Sequence, residues 1–176
     1  RANSGALGYR VTFKVNGTFD LHRVNSYVNA PGGCTNSIPQ TGWGTWSVNG
    51  TTLLGNYPIP ANGLMFFEDH VFVQGQINNK RITLVAATLP DNVATRRNII
   101  VNNDLLYTNY DGRDVIGLIA QQNFLVGLVS DTDLRIDAAV IAQNGFTGRY
   151  YYRGPSGSNC SPNHARNSIT LQGMIA

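Results

Sequence analysis

The octapeptide "IIVNNDLL" at residues 99–106 sets a polar corner between two apolar runs, and the chain repeats that form. Its relatives are "FKVNGTF" at 13, "WSVNGTTL" at 46, "VFVQGQI" at 71, "LRIDAAVI" at 134 and "ITLQGMI" at 169. Each alternates apolar residues with period two, bends at a polar and then a small or turn-prone residue, and returns to apolar. The alternation encodes a strand with one buried face. Glycine and asparagine tolerate the left-handed backbone angles of such a bend. Aligned on Val15, Val48, Val73, Val101, Ile136 and Leu171, the units recur at spacings of 33, 25, 28, 35 and 35 residues.

Irregular repeats averaging about 31 residues are the mark of solenoids, whose units bury their apolar faces only against neighbours. Asn-Gly between apolar runs is also a hairpin signal. Against hairpins stand "DAA" at 137–139, a poor turn, and corners spaced far wider than the roughly 8 to 12 residues of a meander. The reading is an all-β, single-domain parallel β-solenoid (β-helix) over residues 1–176, with an antiparallel sandwich as the alternative. "LMFF" at 64, "RITLVAA" at 81, "VIGLIA" at 115 and "NFLVGLV" at 123 supply the second strands of each coil. About six coils at ~4.8 Å each would make a core roughly 25 to 30 Å long.

Composition points the same way. A single glutamate (Glu68) and two lysines (Lys14, Lys80) leave the chain short of surface helix formers, while 20 asparagines and 19 glycines are turn vocabulary. The net charge of +3 is carried by eleven scattered arginines, with Arg96-Arg97 the densest run. Arginine favours planar, bidentate contacts, but nucleic-acid binding calls for a clustered basic face that the linear sequence lacks. No run approaches the ~18 to 20 apolar residues needed to cross a bilayer. A start at arginine rather than methionine is expected of a processed or trimmed protein.

Two stretches interrupt the coils as long loop excursions, "SYVNAPGGCTNSIPQTGWGT" from 26 and "RYYYRGPSGSNCSPNHAR" from 149. Cys34 and Cys160 each fall in one of them. In a strict stack these loops lie about four coils, roughly 19 Å, apart, whereas a disulfide needs α-carbons within about 4.4–6.8 Å. The pair closes only if both loops fold along the rod and meet, which would imply an oxidising compartment; otherwise these are two separate thiols. His22, His70 and His164 show no zinc-ligand spacing with them. The chain ends at "ITLQGMIA", inside a strand pattern, so further protein or another partner is expected to cover that end.

Four segments also carry a resemblance: "GLMFFEDHVFVQGQINNKRITLVAA", "NIIVNNDLLYTNYDGRDVIGLIAQQNFLV", "LRIDAAVIAQNGFTGRYYY" and "NSITLQGMIA". In these the chain, from Gly63 onward, resembles a bacterial domain family of unknown function found in cell-surface proteins, often behind a pilin-like (PilX-type) N-terminal segment. The likeness spans 63–176, leaving 1–62 as less regular N-terminal coils. It implies a parallel β-solenoid displayed outside the cell, as in a pilus-like appendage, and no assigned catalytic residues.

Enzymatic β-helices exist too, and sugar-cleaving sites pair carboxylates. The candidates are Asp104, Asp111, Asp114, Asp131, Asp133 and Asp137, but corner aspartates more commonly bond local backbone amides. "DTD" at 131–133 is a weak calcium signal. Neither a catalytic triad pattern nor a nucleotide-binding glycine pattern is present. Aromatic residues suit binding better. Trp43 and Trp46 flank one excursion, and Tyr150, Tyr151 and Tyr152 open the other between Arg149 and Arg153. Exposed, they would stack on sugars or nucleobases. The expectation is a non-enzymatic extracellular or cell-surface module with a structural or adhesive role, without cofactor or metal. Its expected partners are other appendage segments or subunits. A carbohydrate-active or sugar-binding domain and a DNA-binding appendage tip are the alternatives.

Overall fold

The structure is a computed structural model that describes residues 4–30, 34, 44–152 and 160–176. It is all-β. In chain order the strands are β1 (Tyr9–Phe13), β2 (Thr18–Tyr27), β3 (Val48–Pro58), β4 (Leu64–Phe67), β5 (Val71–Ile77), β6 (Arg81–Ala86) and β7 (Ile99–Ile100). There follow β8 (Leu105–Tyr107), β9 (Val115–Ala120), β10 (Phe124–Val126), β11 (Asp133–Ala142), β12 (Thr147–Arg149) and β13 (Ser168–Ile175). All thirteen join one sheet.

That sheet is mixed, and the expectation of a parallel solenoid over 1–176 is corrected by its N-terminal part. β1, β2 and β3 pair antiparallel. "FKVNGTF" is a hairpin, with Phe13 opposite Phe19, Lys14 N–H donating to Thr18 O at 2.9 Å, and Gly17 at φ +81°. The Asn16 carboxamide accepts from both Thr18 N–H and its hydroxyl, locking the turn. "WSVNGTTL" runs into β3, where Gly50 pairs with Ser26 at an irregular register. Two of the six similar motifs therefore build a ribbon. Val15 is accordingly exposed at its tip.

From Leu64 onward every strand pairing is parallel. One row of neighbours is β4, β6, β9, the second half of β11 and the end of β13. A second is β1, the first half of β5, β7, β10 and β12. A third is the rest of β5, then β8, the first half of β11 and β13. The bend within β5 falls at Gly75, φ +101°, where a Cβ would sit 2.3 Å from Phe13 O. Only glycine fits there. The sheet curls around one core that holds Val73, Val101 and Ile136 with Val11, Leu84, Leu118 and Leu105.

Asparagine side chains link the starts of neighbouring strands of the second row. His70 Nδ1 accepts Asn98 N–H (2.9 Å), Asn98 Oδ1 accepts Asn123 N–H (3.0 Å) and Asn123 Oδ1 accepts Phe146 N–H (3.1 Å). Each member immediately precedes a strand of the second row or lies at its edge. The side-chain ladder thus satisfies backbone donors where the strand ladder ends.

Outward residues of the second row (Phe72, Ile100 and Leu125) form a smaller core with Val24, covered by Tyr27, Trp46 and Val48. The covering segment runs across the windings: Leu128 N–H donates to Thr45 O at 2.7 Å, and Asn102 Nδ2 to Trp46 O at 2.7 Å. Cys34 and Cys160 are disulfide-bonded with α-carbons 5.0 Å apart, against the roughly 19 Å of an unbridged stack.

Candidate functional site

The residues expected to contact a ligand are largely gathered, but as packing. Tyr152 is buried beside the disulfide and Leu128, and its hydroxyl donates to Thr45 O at 3.2 Å. Arg149 stacks on the Tyr152 ring at 4.7 Å. Its guanidinium donates to the carbonyls of Gly127, Leu128, Asn163 and His164. Burial lowers the Arg149 pKa and raises that of Tyr152. Arg166 adds bonds to Leu128 O and Ser130 Oγ, so two arginines staple the disulfide loop. Trp46, at φ +48°, sits edge-on to His70 at 5.2 Å and beside Tyr27 at 6.0 Å. Tyr150 is half-buried against Phe146 (5.4 Å), leaving Tyr151, 67% exposed, as the one ring of the three tyrosines open to solvent. Trp43 and Arg153 lie outside the described residues.

The aspartates serve the corners. Asp114 is buried and accepts backbone N–H groups of Lys80, Thr108 and Asn109. Burial opposes its charge, yet the backbone bonds from Lys80 and Asn109 outweigh it and hold the carboxyl below its ordinary pKa. Asp131 accepts Asp104 N–H, and Asp104 in turn accepts Arg135 N–H. Asp137, fully buried, accepts from Tyr107 N–H, the Tyr110 hydroxyl and Arg135 Nε. Asp133 holds Asn167 and Ser168, and Asp111 pairs with Arg113 at 2.8 Å. Ser4 donates to Asp69, and His70 Nδ1 accepts a backbone amide. Among the described residues no three His, Cys, Asp or Glu side chains converge as a metal cluster.

Lys80, Arg81 and Arg113 share the wall of a groove of about 530 Å³. There Arg81 is bound to Gly112 O, and Arg113 to Asp111, Asn79 and Asn109. Elsewhere Arg96 pairs with Asp91, and Arg97 with Asp69 at 3.4 Å. Charge is dispersed and much of it is engaged.

The open aromatic surface lies beside β4. Tyr9, Leu21, Leu54, Tyr57, Phe66, Phe67 and Glu68 line a groove of about 470 Å³. It opens where the sheet stops: among the described residues β3 pairs only with β2, and β4 only with β6. Tyr9 packs against Phe67 at 5.6 Å and Tyr57 against Phe19 at 5.9 Å, which props the walls. Phe66 and Tyr57 remain 47% and 43% exposed. Burial, with Asp69 and Glu68 nearby, raises the Tyr9 pKa, so its phenol stays a neutral donor. The groove is therefore rich in aromatic rings, with mixed polar and apolar lining, one acid at its rim and the edge of β4 along one side. Its signal was present in "LMFF": with Met65 inward, the alternation turns Leu64 and Phe66 outward. That β4 has a neighbour on one side only was not readable.

Compared with protein-family models, curated proteins and solved structures, the chain matches none. Among the described residues no helix is long and apolar enough to cross a membrane.

Proposed function

We propose that this protein is a non-enzymatic extracellular module of the cell surface. On this reading it is a rigid β scaffold that extends or decorates a pilus-like or other appendage and takes another polypeptide in its aromatic groove. The observation that carries the reading is the pairing of an aromatic lining with an edge of β4 that no described strand pairs. An edge offers main-chain hydrogen bonds and the flanking rings offer side-chain pockets, the two requirements of strand addition. The disulfide supports an oxidising location. The resemblance of the segments from Gly63 onward to a bacterial surface-domain family supports a reading of display outside the cell. Glu68 is the single carboxylate of the groove lining, whereas acid–base cleavage of glycosides uses two.

The test is photo-crosslinking from p-benzoylphenylalanine at position 66 in cells that display the protein, with exposed position 93 as the control. Polypeptide adducts specific to position 66 are expected; an adduct pattern equal to that of position 93 would overturn the reading. Sugar binding is the second reading, favoured by the half-exposed Tyr57 and Phe66 rings. Glycan-array binding that disappears in Tyr57→Ala would select it.

A further inference from the structure

We propose that the groove walled by Lys80, Arg81 and Arg113 binds an acidic saccharide, a sugar chain that carries carboxylate or sulfate groups. It shares no lining residue with the groove beside β4. Arg113 is paired with Asp111 at 2.8 Å, but among the described residues no carboxylate pairs with Lys80 or Arg81. Arg81, exposed at the start of β6, gives Nε and Nη2 to the neutral carbonyl of Gly112 at 3.1 and 2.8 Å. Asp114 follows Arg113 in the chain, but it is buried and taken up by backbone amides. Two of the three cations thus keep a charge that no described acid pairs with.

The donors of this wall are held in place. Arg113 is fixed through Nε by Asp111, through Nη1 by Asn79 Oδ1 at 3.2 Å and through Nη2 by Asn109 Oδ1 at 2.9 Å. The stem of half-buried Lys80 lies over Gly17 in the β1–β2 turn, where a Cβ would stand 3.0 Å from Lys80 Cε. Asn79 turns the corner before β6 at φ +52°. Its Oδ1 is taken by Arg113, and Asn62 Oδ1 accepts Leu64 N–H at 3.1 Å, so both amides keep Nδ2 to donate. The groove therefore presents donors, the complement of an oxyanion and of sugar hydroxyl oxygens. Donors fixed before binding lose less freedom when a ligand arrives.

Ile59, Pro60 and Ala61 add an apolar side for the C–H face of a sugar ring. At about 530 Å³ the groove falls within the roughly 300–1,000 Å³ of small-ligand sites, far more than a lone ion fills. No lining residue is aromatic, so a nucleobase finds no ring to stack on. β6 is paired on both sides, with β4 and with β9, so its backbone offers no edge to an added strand. A sugar chain bearing acid groups uses all that this wall supplies.

Isothermal titration calorimetry of the 176-residue protein tests this with oligogalacturonate, its methyl ester, dextran sulfate and oligothymidylate as probes. Binding of an acidic sugar probe is expected, weakened by added salt and lost for the methyl ester. Which of oligogalacturonate and dextran sulfate binds more tightly assigns the acid group. Lys80→Gln and Arg81→Gln are each expected to weaken binding on the order of tenfold. Arg23→Gln removes the same charge outside the groove and is expected to bind as the parent does. Far-UV circular dichroism checks that all variants keep their strand content. No binding of either acidic sugar, equal binding of oligogalacturonate and its methyl ester, or losses at positions 80 and 81 no greater than that of Arg23→Gln overturns the proposal. Tighter binding of oligothymidylate, lost in Lys80→Gln and Arg81→Gln, overturns it too and assigns the groove to nucleic acid. Crosslinking from position 66 bears on the groove beside β4 alone, so the two sites stand or fall separately.

Discussion

Replacing Asp114 by asparagine is expected to destabilise the protein by about 3 kcal/mol at neutral pH. The carboxylate ties the starts of β6 and β9 to the turn after β8. Its Oδ1 accepts Lys80 N–H at 2.9 Å, and its Oδ2 accepts Thr108 N–H (3.1 Å), Asn109 N–H (2.7 Å) and Asn109 Nδ2 (3.0 Å). An asparagine fits the same space but has one acceptor oxygen. Turned toward Thr108 and Asn109, it leaves Lys80 N–H facing an NH₂ group, at about 1–3 kcal/mol for a buried unsatisfied donor. The retained bonds pass from charge-assisted, at about 1.5–3 kcal/mol each, toward the neutral range of about 0.5–1.5. A loss near 3 kcal/mol is the conservative sum. Urea denaturation with linear extrapolation reads it directly. The pH dependence follows from the depressed pKa of the folded carboxyl. Its stabilisation is complete above the unfolded value of about 3.9 and is lost as pH falls through the lower folded value. The gap between parent and Asp114→Asn is therefore expected to close in strong acid. A gap below about 0.5 kcal/mol at neutral pH, or one that does not change with acidification, would refute the reasoning.

Opening the Cys34–Cys160 bond, by reduction or by the double serine variant, frees a crosslink spanning 126 residues. By the loop-entropy relation it is expected to cost about 5 kcal/mol, checked by denaturation with and without reductant; equal midpoints would contradict it. Leu118→Ala, in a fully buried column between Leu84 and Val140, is expected to cost about 2–5 kcal/mol, read from the same denaturation curves. A cost under about 1 kcal/mol would mean that the rows do not share one packed core.

Much of the strand content could be read locally. A chain with one glutamate and two lysines has few residues that favour an exposed helix, and "RITLVAA" and "VIGLIA" became β6 and β9. The inward positions of Val73, Val101 and Ile136 followed from alternation. The hairpin at Asn16-Gly17 did not, because the same Asn-Gly pair suits a tight turn and a corner alike. What separates them is whether the following strand folds back, as β2 does with Phe19 opposite Phe13. The aromatic residues near the excursions were similarly ambiguous. Tyr152 and Arg149 look like a stacking site in one dimension and are consumed by the disulfide loop in three.

What the sequence by itself determined is the β character of the chain, the places where it bends and which residues of each strand share a face. These depend on propensity and on a period of two, which are properties of a few adjacent residues. Only the tertiary structure decided which strand lies beside which, that the first three run antiparallel, and that β4 pairs on one side only among the described residues. Those outcomes depend on contacts between residues far apart in the chain, whose summed packing and hydrogen bonding no short stretch contains.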